Sequence, residues 1–147
     1  MVVRRVDKAD GDTGTKPQTS AIQKRGRYMA PLDYKDYSAM VLEKTGSVSY
    51  ICDMQTYEVL YLSKECMKFC GMKSPEEYRH QKCYQVLQGL DAPCPFCTNN
   101  KLLEGNEYRW EHYNEKFGRW FNMTDNLVRL DGRPMRLEIA RDITFRK

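Results

Sequence analysis

Hydrophobic and polar positions follow a helical period before residue 46 and a strand period directly after it. Apolar side chains recur every three or four residues across 31–46, which predicts a leading helix. Residues 48–54 then alternate between apolar and polar, and a β-branched and aromatic run follows at 57–62. With a turn at 53–56 between them, these two runs are a predicted β-hairpin.

Short helices are predicted for the middle of the chain. Ser63 is a suitable N-cap for a helix over 64–70, and Gly71 can end that helix. The Ser-Pro-Glu-Glu sequence at 74–77 has the residues that favour another helix start. One or two further helical turns are expected over 98–104.

Three strand patterns complete the chain, over Glu107–Asn114, Trp120–Leu130 and Met135–Ile143. Asp131-Gly132 is a hairpin signal between the last two, and Phe117-Gly118 serves between the first two. Two strands, several short helices and three strands joined by hairpins predict an α+β domain. Its expected core is a five-stranded antiparallel sheet with the helices over one face.

The net charge of +4 over 147 residues belongs to one end of the chain. Residues 1–30 hold seven Lys or Arg and three Asp, whereas the remainder holds 17 basic and 17 acidic residues. The predicted organisation is a disordered basic leader at 1–30, the helix at 31–46 and a folded domain at 47–147. We expect no nucleic-acid partner and no membrane insertion, and the missing export signal predicts a cytoplasmic protein.

The segment 48–63, the helix ending at Gly71 and the closing sequence 137–144 together resemble a PAS sensor domain. The resemblance covers about two thirds of the chain, and its most specific element is Asp142-Ile143-Thr144, which in PAS domains marks the handover to an effector. Cys83-Tyr84 with Pro-Cys-Pro-Phe-Cys at 93–97 is similar to a bacterial subset found ahead of diguanylate cyclase (GGDEF) or histidine kinase modules.

This resemblance implies a sensory, non-enzymatic module with a PAS-like sheet, an effector in cis or in trans, and a homodimer. It also implies that a cavity can lie between the sheet and the helices, with a small-molecule ligand inside. The alternation in the last strand places Met135, Leu137, Ile139 and Ile143 on one face, which we expect to point inward. The residues expected to line the cavity are Trp110, Asn122, Leu137 and Ile139.

All six cysteines fall between residues 52 and 97. Cys52, Cys66 and Cys70 are interpreted as small core residues. Three interpretations stay open for the group of His80, Cys83, Cys94 and Cys97. These residues can pack structurally, they can bind zinc or an iron–sulfur cluster, or Cys94 and Cys97 can act as a redox dithiol beside a helix start at Thr98.

The last two interpretations give the alternatives to a sensor, which are a thiol-disulfide redox protein or a small zinc-binding interaction domain. Flavin is disfavoured because Cys83 is followed by Tyr-Gln-Val-Leu-Gln, whereas the photoreactive cysteine of flavin-binding PAS domains is followed by Arg-Phe-Leu-Gln. Heme is disfavoured because it requires an accessible axial ligand, and His112 is expected to have a surface or core role.

Overall fold

The computed structural model describes residues 34–147. The predicted leader at 1–30 and the first residues of the predicted leading helix lie outside this range. The rest of that helix is present as α1 (Tyr34–Lys44). No helix of the described part of the chain is long and apolar enough to cross a membrane.

One antiparallel sheet of five strands organises the domain, and its spatial order is β2-β1-β5-β4-β3. The strands are β1 (Val48–Asp53), β2 (Val59–Leu62), β3 (Glu107–Asn114), β4 (Arg119–Leu130) and β5 (Arg133–Asp142). The last strand therefore lies at the centre, between the first strand and the fourth. The predicted α+β class with a five-stranded antiparallel sheet is confirmed.

The connections use the local chemistry that the sequence indicated. Asp131 and Gly132 both have positive φ, at 50° and 77°, as the tight hairpin between β4 and β5 requires. In the first hairpin the Asp53 carboxylate accepts hydrogen bonds from the backbone N–H groups of Gln55 and Thr56, at 2.7 and 3.0 Å. These bonds hold the turn locally, and an ion pair from Arg133 to the same carboxylate connects it to the start of β5.

The helices between β2 and β3 are short. Helix α2 (Lys64–Cys70) begins at Ser63, whose side chain accepts from the Cys66 N–H, and ends at Gly71. Helix α3 (Cys83–Gln88) lies further along, and the predicted turns near 75 and 99 are 3₁₀ turns at Pro75–Glu77 and Asn99–Lys101. The helices and the inner face of the sheet share one hydrophobic core.

The predicted orientation of β5 is wrong. Its inward residues are Arg136, Glu138 and Ala140, which are all buried, whereas Ile139 is 36% exposed on the outer face. The alternation of side chains along β5 was predicted correctly, but its apolar face was assumed to be the one that points inward. Two ionisable side chains, Arg136 and Glu138, occupy the core instead, because other polar groups form hydrogen bonds with them.

Candidate functional site

Buried polar side chains meet on the inner face of the sheet, at the middle of β4 and β5. Asp125 is completely buried and pairs directly opposite Glu138 across these strands. Arg136 lies two residues before Glu138 and therefore points to the same side. Buried charges are costly unless they are paired and hydrogen-bonded, so this cluster marks a candidate functional site.

Arg136 connects the sheet to the cysteine segment. Its Nη1 donates to Asn99 Oδ1 at 2.6 Å and to Cys97 Sγ at 3.4 Å. Its Nη2 donates to the Tyr50 hydroxyl at 3.2 Å and to Cys83 Sγ at 3.7 Å. One guanidinium therefore holds two thiols that are fourteen residues apart in sequence.

The two opposed carboxyl groups share a network of donors. The Thr98 hydroxyl and the Trp110 indole N–H donate to Asp125 Oδ2, at 2.6 and 2.9 Å, and the Tyr50 hydroxyl donates to Glu138 Oε2 at 2.9 Å. Burial, and then the neighbouring Asp125, raise the pKa of Glu138 well above its usual range. A protonated Glu138 can donate to Asp125 Oδ1, which otherwise has no partner.

A cavity of about 30 Å³ lies against this network. Its wall includes Tyr50, Cys83, Cys97, Arg136 and Glu138. A space of this size holds one or two water-sized molecules, because a single water needs roughly 10–15 Å³. The site therefore suits a very small polar molecule, and a larger ligand requires the wall to move.

The predicted redox and metal residues separate into two groups. Cys83, Cys94 and Cys97 all line the cavity, but the His80 side chain is 82% exposed and lies beside Glu58. Within residues 34–147, no three His, Cys, Asp or Glu side chains are grouped so that they could hold a metal ion. The four-ligand arrangement predicted from spacing is not assembled, because His80 points away from the thiols.

The predicted dithiol at Cys94 and Cys97 also lacks its helix. Only the 3₁₀ turn Asn99–Lys101 follows Thr98, so no α-helix N-terminus stabilises a thiolate there. Burial raises the pKa of Cys94 to about 11. A nucleophilic first cysteine of a CxxC pair needs the opposite shift.

The four predicted cavity residues lie on different faces. Trp110 lines the cavity, as expected, and contributes its indole N–H to Asp125. Asn122 and Ile139 lie instead in a recess on the outer face, and Leu137 is half-buried. The prediction that Ile139 points into the interior is wrong, since the β5 alternation runs the other way.

The predicted output residues form a hydrogen-bonded corner at the end of β5. Asp142 Oδ1 accepts from the Thr144 N–H at 2.9 Å, and the Thr144 hydroxyl oxygen accepts from the Trp120 N–H at 3.0 Å. Ile143 is buried, and its N–H donates to the Trp120 carbonyl at 2.9 Å. Arg119 adds an ion pair to Asp142 at 3.3 Å. The corner fixes the direction in which the chain leaves the sheet.

Sequence reasoning missed the central members of the site, which are Asp125, Arg136 and Glu138. Their signal was present as charged residues within two strands that were otherwise assigned to the sheet. In most proteins the charged face of a strand is exposed to solvent, so these charges favoured the incorrect prediction that this face points outward. The cross-strand pairing of Asp125 with Glu138 becomes visible only when the register is known.

Comparisons with solved structures identify the fold of this domain. The fold is that of PAS domains, which are represented by several solved structures. One is the PAS domain of an HTR-like protein from Haloarcula marismortui, with 13% identity, a TM-score of 0.58, and coverage of 74% of this chain and 91% of that chain. Another is the PAS domain of nitrogen regulation protein NR(II) from Vibrio parahaemolyticus, with 14% identity, a TM-score of 0.57, and coverage of 72% and 97%.

A third is a PAS domain from a two-component sensor histidine kinase, with 10% identity, a TM-score of 0.52, and coverage of 74% and 95%. At these identities the likeness is one of fold. No protein-family model matches the sequence, and no curated protein matches it.

Proposed function

We propose that this chain is a PAS-type sensory domain, a non-catalytic input module that passes a signal from its inner cavity to an effector. The observation that carries the proposal is the position of β5. This strand supplies Arg136 and Glu138 to the cavity and ends at the Asp142–Thr144 corner. A changed contact at Arg136 therefore acts on the strand whose end sets the exit direction of the chain.

The effector in this proposal is a histidine kinase or a diguanylate cyclase, in cis or in trans. The similarity in fold to PAS domains of a sensor histidine kinase and of nitrogen regulation protein NR(II) supports the first. The Cys83-Tyr84 and Pro-Cys-Pro-Phe-Cys sequences support the second through the resemblance they carry. The proposal also includes a cytoplasmic location. It includes no nucleic-acid partner, because the positive excess belongs to residues 1–30.

A homodimer is the proposed assembly. Helix α1 exposes Met40 and Val41, with 53% and 64% of their surface accessible, and the outer sheet face exposes Ile139. Apolar surface of this kind is commonly covered by a partner. Sedimentation of the full chain is expected to give twice the monomer mass of 17.4 kDa, and a single monomeric species at all concentrations would contradict the dimer.

The sensory function is tested with the full chain placed ahead of a diguanylate cyclase module. We expect Arg136→Lys and Asp142→Ala to change the rate of cyclic di-GMP synthesis by about fivefold or more, which is the usual lower range of coupling between sites. Arg109→Lys is the matched control, because Arg109 is an exposed side chain on β3. Circular dichroism checks that each fusion is folded.

Hydrogen exchange of the amides at 142–147 gives a second measurement that needs no effector. Faster exchange there in Arg136→Lys than in Arg109→Lys would support transmission along β5. An active fusion whose rate is the same in all variants, with equal exchange at 142–147, would show that the domain is not a sensor of the proposed kind.

A further inference from the structure

Cys83 lies beside Cys52 because the backbone ties the start of α3 to the first hairpin. The Cys83 N–H donates to the Tyr57 carbonyl at 2.8 Å, and Val59, which pairs with Cys52, donates to the Gln81 carbonyl at 2.9 Å. Both cysteines are buried, and both belong to the same hydrophobic core. Their proximity therefore follows from backbone pairing and not from a flexible loop.

Two donors converge on the Cys83 sulfur. The Cys52 thiol adjoins it, so that a hydrogen bond from this thiol favours the Cys83 thiolate, and Arg136 Nη2 lies 3.7 Å away. Arg136 also pairs with Cys52 in the β1–β5 register, so the three side chains meet on the inner face. The Cys52 hydrogen bond and then Arg136 outweigh burial and lower the pKa of Cys83 to about 7.

Small oxidants fit the space in front of this sulfur. Cys83 is part of the wall of the cavity of about 30 Å³. Hydrogen peroxide has two heavy atoms and is comparable to two waters in size, so it fits where an organic ligand does not. Cys94 and Cys97 in the same wall are half-buried, which places the cavity near the surface.

We propose that Cys83 is a peroxide-reactive cysteine that forms a disulfide with Cys52, and that this oxidation is the signal detected by the sensory function proposed above. The inference about the signal rests on that function, whereas the inference about the disulfide rests on the Cys52–Cys83–Arg136 geometry alone.

The reaction is balanced with a hydroperoxide as the oxidant. The Cys83 thiolate attacks one peroxide oxygen, the O–O bond breaks, and the leaving hydroxide takes up a proton to become water. The resulting Cys83 sulfenic acid is attacked by the Cys52 sulfur. The S–O bond then breaks, the departing hydroxide takes the Cys52 proton, and a second water forms. Two thiols lose two electrons and two protons, and one hydrogen peroxide becomes two waters.

The product changes the surroundings of Arg136. A disulfide sulfur carries no negative charge, so the Nη2 group loses the thiolate that it faces in the reduced protein. The guanidinium remains charged and buried, and its Nε has no acceptor within the described residues. Oxidation therefore leaves an underpaired charge on β5, six residues before Asp142.

The test is peroxide treatment of the full chain, followed by mass spectrometry without reduction. We expect a mass loss of two hydrogens and a cross-linked peptide pair that contains Cys52 and Cys83. In Cys52→Ser the reaction is expected to stop at the Cys83 sulfenic acid, which dimedone traps. Cys66→Ser is the matched control, because it removes another buried thiol without touching this pair.

Arg136→Met tests the part played by the guanidinium. A return of the Cys83 pKa from about 7 to 9 lowers the thiolate fraction at pH 7 about 50-fold. A more basic thiolate is also more reactive, which compensates for about eightfold of this loss. Because Cys52 still donates in this variant, the expected fall in oxidation rate is about two- to sixfold. If Arg136→Met does not fold, dimedone trapping in Cys52→Ser still tests the proposal.

Two outcomes would overturn the inference, and both are distinct from failure of the sensory function. Peroxide that oxidises Cys94 and Cys97 while Cys52 and Cys83 stay reduced would refute the disulfide. An oxidation rate unchanged in Arg136→Met would refute the part assigned to the guanidinium. A cyclase fusion that responds to Arg136→Lys while no disulfide forms would refute the disulfide and the redox signal but not the sensory function. A disulfide that forms without any cyclase response to peroxide would refute the redox signal, and a fusion that is also insensitive to Arg136→Lys would refute the sensory function.

Discussion

Two pairs of thiols in and around the core of this domain have the same internal arrangement and different surroundings. In one pair Cys52 donates a hydrogen bond to Cys83, and in the other Cys66 donates to Cys70. The donor is buried in both pairs, and the pKa of the acceptor thiol is lowered in both. The hydrogen bond between thiols therefore does not distinguish them.

The backbone that carries each pair does distinguish them. Cys66 and Cys70 are one turn apart on α2, where the Cβ atoms of such residues are about 5–6 Å apart. A disulfide needs Cβ atoms roughly 3.5–4.5 Å apart, so the helix would have to distort. Cys52 and Cys83 come from a strand and a helix start, which are not restricted by one helical repeat.

The charged partner also differs. Arg136 contacts the Cys83 sulfur directly, whereas Cys70 Sγ contacts the Val86 carbonyl and feels Lys116 only at longer range. A fixed guanidinium stabilises a thiolate more than a flexible ammonium that does not touch it. Tertiary neighbours, and not cysteine spacing, therefore give one pair its reactivity.

The largest effect is expected from Arg136→Met, which removes the charge that separates the two pairs. The acceptors around position 136, including the half-buried Asn99 and Cys97, would lose their donors. We expect the free energy of unfolding to fall by about 3–5 kcal/mol, measured by urea unfolding. The control Arg109→Met, at an exposed ion pair, should stay within about 0.5 kcal/mol of wild type. Equal losses of unfolding free energy in Arg136→Met and Arg109→Met would mean that the network around Arg136 stabilises the fold no more than an exposed ion pair does.

A smaller effect is expected when the donor thiol of each pair is removed. Cys52→Ala and Cys66→Ala should each lose about 1–2 kcal/mol of stability, because a buried group and its hydrogen bond disappear. The pKa of Cys83 should rise above about 7 yet stay below 9, since Arg136 remains, whereas the pKa of Cys70 should lose its lowering. The alkylation rate of each thiol against pH measures this, and identical shifts in both pairs would remove the distinction.

The pH dependence of stability tests the carboxyl pair that lies beside Arg136. Because the pKa of Glu138 is raised in the folded state, unfolding releases a proton above the unfolded value of about 4.3, and stability falls as pH rises. One proton contributes a slope of at most about 1.4 kcal/mol per pH unit. Glu138→Gln should flatten this slope between about pH 4.3 and the folded pKa. An unchanged slope in chemical unfolding would contradict a protonated Glu138.

The smallest effect is expected at the output corner, which lies far from both thiol pairs along β5. Partial burial works to raise the pKa of Asp142, but hydrogen bonds from Thr144 and the charge of Arg119 outweigh it and lower the pKa. Its stabilisation is therefore present above the unfolded pKa of about 3.9 and is lost as pH falls through the folded pKa. Asp142→Ala should cost about 1 kcal/mol at pH 7 and less in acid, measured by thermal unfolding, with Asp91→Ala as the exposed control. Equal costs at both pH values would show that the carboxylate charge is not what holds the corner.

Much of the fold could be predicted because its signals are local. Ser63 and Gly71 bound α2 in the structure as they do in the sequence, and the Asp131-Gly132 hairpin has the positive φ angles that its residues favour. The helical turn predicted after Thr98 is present, but only as a single 3₁₀ turn, so the α-helix N-terminus expected beside Cys94 and Cys97 does not form. His80 was also misplaced, since ligand spacing carries no information on side-chain direction.

The sequence by itself determined the number and order of the strands, the hairpin turns and the corner at Asp142–Thr144, because each depends on residues within a few positions of one another. Only the tertiary structure decided which face of β5 is buried and which sulfur Arg136 contacts. Alternation defines two faces but does not rank them, and a charged face is buried when partners distant in sequence satisfy it. Those partners, Asp125, Tyr50 and Cys83, come together only when the sheet and α3 have folded around them.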